Sequence, residues 1–401
     1  MKRAFLVFGL IGVTFQWASA ADRASEFAQL ESEYKVAEQG FFEIPISADS
    51  TTAEKIQRFE AWPAWEFIPR VLELAEAQPD DETSFKCCMW ICDRARSIGT
   101  RDQRMFDADQ RAWHLLTAHH TDRAGLPMMC LKAAEYDGPA REQFLRQLVA
   151  REDLSRTNKG FATIALAEML AKRFESCGNP QGDEVAAPRD EFAEYLASKE
   201  SPEASKNMVP ANAEKYKAES TKLFHEVLAQ FADVPVLISA PGFRSLKSLG
   251  EKATKSFHAL ERLSMGSELP NISGKDLNST PLDLRDYRGK VVVISVWFTG
   301  CGPCMGMVPQ EQRLVETYRG EPFALLGVCC DESTETGQKT VQELGMNWPC
   351  WFDGQNGLIA RDLNVLHYPT IYVLDKHGVI AAKDLRGELL DAKVAQLMRA
   401  E

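Results

Sequence analysis

From Ser25 to about Leu263 apolar residues recur at three- and four-residue intervals, and the breaks between runs are Pro, Gly and Asp rather than strand signals. That spacing predicts helices over 62–77, 82–98, 103–119, 126–136, 141–151 and 161–174. Gln78-Pro79-Asp80-Asp81, Gly99 and Asp137-Gly138-Pro139 supply the turns between them. Residues 178–188, rich in Gly, Pro, Asn and Asp, read as an exposed loop. A long charged helix with an apolar stripe is expected over 210–231 and a final one over 243–263.

After Gly266 the pattern becomes alternating. Residues 290–298 form a continuous β-branched run, as expected of a strand buried on both faces, and 323–329 form a second. Strands 370–374 and 379–383 flank the hairpin signal Asp375-Lys376-His377-Gly378, and 389–399 closes the chain as an amphipathic helix. The fold class is therefore multidomain: an all-α N-terminal helical array over 21–262, then an α/β domain over 263–401. The array has a loose helix-turn-helix rhythm, similar to tetratricopeptide arrays in shape but without the aromatic and small-residue positions of that repeat.

At 401 residues the chain is too long for one ordinary core. Hydrophobic residues make up 45% and charged residues 26%, with a net charge of −12 and no sustained Lys/Arg stripe, which argues against nucleic acid as a partner. Residues 1–20 read as an export signal: Lys2 and Arg3, an apolar stretch over 4–17, then Ala18-Ser19-Ala20 as the cleavage site. An uncleaved membrane anchor is the competing reading, although Gly9, Gly12, Thr14 and Gln16 make the stretch a poor span. The signal implies a periplasmic or otherwise extracytoplasmic location.

Ten cysteines in an exported chain of this size need reading one by one. Cys301-Gly302-Pro303-Cys304 comes directly after the buried strand and opens a helix expected over 305–318. Unpaired amides and the helix dipole at that end stabilise a Cys301 thiolate, lowering its pKa below the ~8.5 of a free thiol. Cys301 is then the nucleophile and Cys304 the resolving thiol, and neither metal nor cofactor is needed. Half of a zinc site is the competing reading, but no second ligand pair stands at suitable spacing. A c-type haem site would need His after the second Cys, where Met305 stands.

These residues resemble the thioredoxin superfamily, and within it the TlpA/ResA-like exported thioredoxins. The resemblance covers about 267–401. It rests on Gly289-Lys290-Val291-Val292-Val293 leading to Trp297-Phe298 and the Cys pair, on Pro309, on 323–328, and on Tyr368-Pro369-Thr370. It implies a thiol-disulfide oxidoreductase with a cis Pro369 facing the disulfide, and substrate contact through Tyr368, Pro369, Trp297, Gly302 and Pro303. It further implies reduction of disulfides in exported proteins, electrons from a membrane donor, and, from Gly302-Pro303, a potential on the reducing side. Two departures stand out. Ser295 occupies the strand position where thioredoxin carries a buried acid, so acid-base help to Cys304 must come from water or elsewhere, and Gly300 replaces the Trp before the first Cys.

A peroxiredoxin-like peroxidase is the rival enzyme. Its pattern, Pro-x-x-x-Thr/Ser-x-x-Cys, would place Pro at Ile294 and a hydroxyl at Phe298. A different class of reading makes the helical array a partner-binding module with an accessory redox domain. Cys87, Cys88, Cys92, Cys130 and Cys177 read as small buried hydrophobes, with a bridge from the first cluster to Cys130 as the alternative. Cys329, Cys330 and Cys350 either pack in the core or lie near the site, and His367 lies near it. His114, His119 and His120 belong to helix surface and core, with metal binding as the lesser option.

Overall fold

The computed structural model describes residues 19–43, 50–98, 102–178, 191–202, 210–236, 246–355 and 357–400. The export signal, apart from Ser19 and Ala20, and the loop expected over 178–188, apart from Gly178, lie outside the described residues. Two compact units emerge: residues 1–99 with 104–120, and residues 100–103 with 121–401.

The first unit contains α1 (Ala20–Glu43), α2 (Thr52–Glu60), α3 (Ala64–Ala77), α4 (Glu82–Ile98) and most of α5 (Gln103–His119). A capping box starts α2, with Thr51 and Glu54 satisfying each other's backbone amides. Its core is aromatic: Tyr34 of α1 is fully buried, edge-on to Phe67 at 5.5 Å and to Trp90 at 4.9 Å. Buried Arg23 of α1 donates to Asp81 and to the Leu74 carbonyl, so its charge enters the interior with partners.

In the second unit come α6 (Leu126–Ala133), α7 (Pro139–Ala150), α8 (Arg156–Gly178), α9 (Glu191–Lys199), α10 (Ala213–Gln230) and α11 (Leu249–Arg262). Helix α8 is the hub, packed by α6, α7, α10 and α11. Phe161, Ile164, Ala165, Leu166, Met169 and Leu170 are all buried, an apolar surface too wide for a one-sided amphipathic helix. Glu168 of α8 and Lys252 of α11 form an ion pair at 2.5 Å, with the Ser256 hydroxyl donating to Glu168 at 2.8 Å.

The change of texture at residue 263 falls inside this second unit. A hairpin of β1 (Ser273–Lys275) and β2 (Pro281–Asp283) precedes a five-stranded sheet of β3 (Val291–Trp297), β4 (Phe323–Cys329), β5 (Cys350–Phe352), β6 (Thr370–Leu374) and β7 (Ile380–Lys383). The spatial order is β5-β4-β3-β6-β7. Strands β4 and β5 run parallel to β3, and β6 and β7 complete an antiparallel edge. Helix α12 (Gly302–Thr317) follows β3, α13 (Thr334–Leu344) follows β4, and α14 (Leu358–Asp362) and α15 (Glu388–Arg399) complete the domain.

Every residue of β3 is buried, because it is the central strand and both its faces are covered. Alternation assigns Val291, Val293 and Trp297 to one apolar cluster, with Met307, Val308, Leu314, Leu390 and Val394 from α12 and α15. Val292, Ile294 and Val296 belong to a second cluster that takes in Leu263, Leu269, Ile272 and Trp351. Leu263, the residue that ends α11, is 1% exposed there, and its carbonyl accepts from Lys383 of β7, which also pairs with Glu175 of α8 at 2.6 Å. Leu263→Ala should therefore destabilise the sheet domain by about 2–4 kcal/mol, the range for emptying a buried leucine site. Urea unfolding followed by tryptophan emission checks this, and a loss below about 0.5 kcal/mol would show that this contact does not hold helix and sheet together.

Candidate active site

The chain leaves the buried end of β3 at Trp297 and enters α12 within five residues, with Cys301 as the helix N-cap. The backbone amide of Cys304 donates to the Cys301 sulfur at 3.1 Å. That amide is one of the donors every helix start leaves without an intrahelical acceptor, so the sulfur takes the place of a capping oxygen. Cys301 and Cys304 are joined as a disulfide. After reduction the same amide and the helix dipole favour negative charge on Cys301. Gly302 and Pro303 are exposed over the pair, and Pro303 costs the first helical turn nothing because its missing amide would have had no intrahelical partner.

The turn before the disulfide is held by a carboxylate that the sequence pattern does not single out. Asp331, two residues beyond the end of β4 and buried, accepts from the Thr299 amide at 2.8 Å and from the Thr299 hydroxyl at 2.7 Å. The same hydroxyl lies 2.7 Å from that of Thr340 on α13, and the Cys329 thiol approaches the Asp331 carboxylate at 3.4 Å. Parallel pairing sets Trp297 opposite Cys329, so the turn after β4 emerges beside the turn after β3.

The peptide bond between Tyr368 and Pro369 is cis, as the resemblance implied, and the Pro369 carbonyl accepts from Arg386 at 2.7 Å. Tyr368 is 36% exposed, its ring edge-on to Phe298 at 5.0 Å and its hydroxyl against the Cys330 thiol. Trp297, expected among the residues that meet substrate, is only 2% exposed. Strand alternation turns it into the core, and the neighbouring ring at the site's surface is that of Phe298. His367 is exposed, 3.8 Å from Asp384, and takes no part in the disulfide's immediate surroundings that the structure shows.

The other eight cysteines are buried thiols outside this disulfide. Cys329 and Cys350 lie in the cluster that holds the disulfide, whereas Cys330 lies across the sheet. Burial pushes the Cys330 thiol up to about 11 and that of Cys350 to about 12, and it raises Cys329, Cys87 and Cys130 as well. These raised thiols stay protonated at neutral pH, so none of them competes as a nucleophile.

A second unanticipated group is Glu311 of α12, 3% exposed. Loss of hydration lifts its carboxyl to about 7, against a smaller opposing effect of the Ser295 hydroxyl. The sequence signal was available: Cys304, Val308, Glu311 and Leu314 share one helical stripe, so a carboxylate interrupts an otherwise core-facing row.

A strand-to-helix turn that presents two linked thiols in this way, on a sheet of this order, defines a thiol-disulfide oxidoreductase of thioredoxin fold. Residues 265–383 match the AhpC/TSA family. The thioredoxin-like protein YneN of Bacillus subtilis is 33% identical over 119 residues, 29% of this chain and 68% of YneN. The thiol-disulfide oxidoreductase ResA of Bacillus cereus is 25% identical over 143 residues, 36% of this chain and 82% of ResA. A crystal structure of the thioredoxin domain of a Bacteroides vulgatus thiol-disulfide oxidoreductase is 28% identical, covering 34% of this chain and 99% of that domain with a TM-score of 0.32. Through its C-terminal part the chain belongs to the thioredoxin-like thiol-disulfide oxidoreductases, alongside ResA and YneN.

If its place at the helix start selects the nucleophile, limiting iodoacetamide at pH 7 should label Cys301 first in the reduced protein and leave the eight other thiols unmodified. Peptide mass mapping reads this out, and first labelling at Cys304 would reverse the assignment.

Proposed function

We propose that the chain reduces disulfides of exported proteins, with Cys301 attacking the substrate disulfide and Cys304 resolving the mixed disulfide. Tyr368, Pro369, Gly302 and Pro303 frame the approach of the substrate. The observation that carries this reading is the Cys301 sulfur capping the start of α12, where it accepts from the Cys304 amide. The leader-like residues 1–20 support action outside the cytoplasm, where an oxidised pair needs a supply of electrons, here assigned to a membrane-borne dithiol donor. No helix among the described residues is long and apolar enough to cross a membrane. The helical residues 21–262 would then recruit the protein partner, and 263–401 carry the chemistry.

The direction is set by charge around Cys301. A highly stabilised thiolate makes a pair oxidising, and the immediate neighbours Thr299, Gly300, Gly302 and Pro303 bring no cation. The carboxylate tied to Thr299 is buried and adds no positive charge, and Arg386 beyond Pro369 is exposed and screened by solvent. A reducing pair results. A peroxidase would need a hydroxyl three residues before the attacking sulfur, where Phe298 stands, and the Thr299 hydroxyl is engaged by Asp331 and Thr340.

Equilibration with glutathione buffers should give a midpoint within tens of millivolts of about −270 mV, and a value near about −120 mV would make the protein a disulfide donor instead. In its native compartment, Cys304→Ser should accumulate mixed disulfides with exported proteins through Cys301. Their absence would remove those proteins as substrates.

A further inference from the structure

Resolution of the mixed disulfide needs the Cys304 thiol to lose a proton inside an apolar cluster, where burial favours the neutral thiol. The strand offers no base: Ser295 lies between Val293 and Trp297, on the face of the sheet that covers the disulfide. From α12, however, Glu311 reaches the same place, against the Ser295 hydroxyl. Its Oε1 is buried without a hydrogen-bond partner, an unusual state for a carboxylate oxygen that no structural role explains.

The surroundings are built to hold it. In the sheet register Cys350, Gly327 and Ser295 lie side by side across β5, β4 and β3. A Cβ on Gly327 would stand 2.4 Å from the Cys350 sulfur and 3.0 Å from the Trp297 indole nitrogen, so only glycine there lets those two side chains pack beside Ser295. The groups facing Glu311 are the Ser295 hydroxyl from β3 and the Cys350 thiol from β5, whose own proton is held more tightly still. No cation contributes to holding the Glu311 charge.

We propose that Glu311 is the internal acid-base group of this oxidoreductase, taking the proton of Cys304 during resolution and, once reprotonated from solvent, supplying one when the disulfide is reduced. This rests on the reading of Cys301 and Cys304 given above. Glu311 stands seven positions after Cys304, on the same helix face but ~10 Å along the axis, so the proton is relayed rather than passed directly. In the mixed disulfide, the Cys304 proton passes to the Glu311 carboxylate. The Cys304 thiolate attacks the Cys301 sulfur, the Cys301–Cys304 bond forms, and the bond from Cys301 to the substrate sulfur breaks. The departing thiolate takes a proton from solvent, and Glu311 releases its own to solvent. Two electrons have passed from the dithiol to the substrate disulfide.

The reaction of the reduced full-length protein with Ellman's reagent separates the two steps. A first release of thionitrobenzoate reports attack by Cys301, and a second reports resolution by Cys304. In the unsubstituted protein the second-phase rate should rise with pH through an inflection near 7, as Glu311 ionises and becomes a base. Glu311→Gln should slow that phase about 10- to 100-fold at pH 7 and abolish the inflection, leaving the first phase within twofold. Because burial opposes the Glu311 charge, neutral glutamine removes a destabilising ionisation at pH above about 7, and the variant is expected to fold. Adding Ser295→Asp to Glu311→Gln should restore at least a tenth of the lost rate by supplying the carboxylate from the strand, which a purely structural Glu311 would not allow. A second phase unchanged in Glu311→Gln, or no inflection between pH 6 and 8 in the unsubstituted protein, overturns the proposal. Failure of the first phase at Cys301 would instead overturn the assignment of the nucleophile.

Discussion

The burial of β3 on both faces is the constraint that creates the site. A strand with no solvent-facing side has to be covered by helices, and its backbone has to be paired on both edges, here by β4 and β6. The chain can leave such a strand only at its end, and it does so by turning at once into α12. Two thiols placed at that turn inherit a rigid support, a set of unpaired amides and an apolar floor without further design. The neighbouring strands end at the same level, which is why Asp331 after β4 can hold Thr299 after β3.

Burial then does two opposite things to the cysteines. Seven buried thiols are held protonated because the interior disfavours their charged forms, whereas a helix amide donates to the Cys301 sulfur. The partner thiol Cys304 sits on the unfavourable side of that division, in the same apolar cluster as Cys329 and Cys350. A buried carboxylate two turns further along α12 is the counterpart such an arrangement calls for. Ser295, too short to act itself, leaves the room and the hydrogen bond that let the acid come from the helix.

The helical residues divide differently from their texture. Helices α6 to α11 form one unit with the sheet, and Leu263 and Lys383 show how: an apolar side chain fills the sheet's second cluster while an amine is shared between Glu175 and a helix-end carbonyl. Helical periodicity reports which face of a helix is buried but not what it is buried against. A unit border near residue 120 therefore leaves no mark in the pattern that changes at 263.

Local rules reach a long way along this chain. The two β-branched runs are β3 and β4, the helices at 82–98 and 103–119 have the expected bounds, and the Cys pair sits at the predicted strand-to-helix turn, because each of these depends on neighbours a few residues apart. The three-residue strands β1, β2 and β5 are too short to show a period, and they exist only through their partners. Trp297, which the resemblance put among the residues that meet substrate, is turned inward by alternation within the folded sheet. Asp331 and Glu311 are legible as residues but not as parts of a site. Asp331 acts across 32 positions of sequence, and Glu311 gains its raised pKa only from the solvent excluded by β3, β5 and α12. The sequence by itself determined the chemistry, since two thiols at a helix start need nothing else to exchange disulfides. Which charges surround them was decided by the tertiary structure alone, because burial and electrostatic proximity are properties of distance in space.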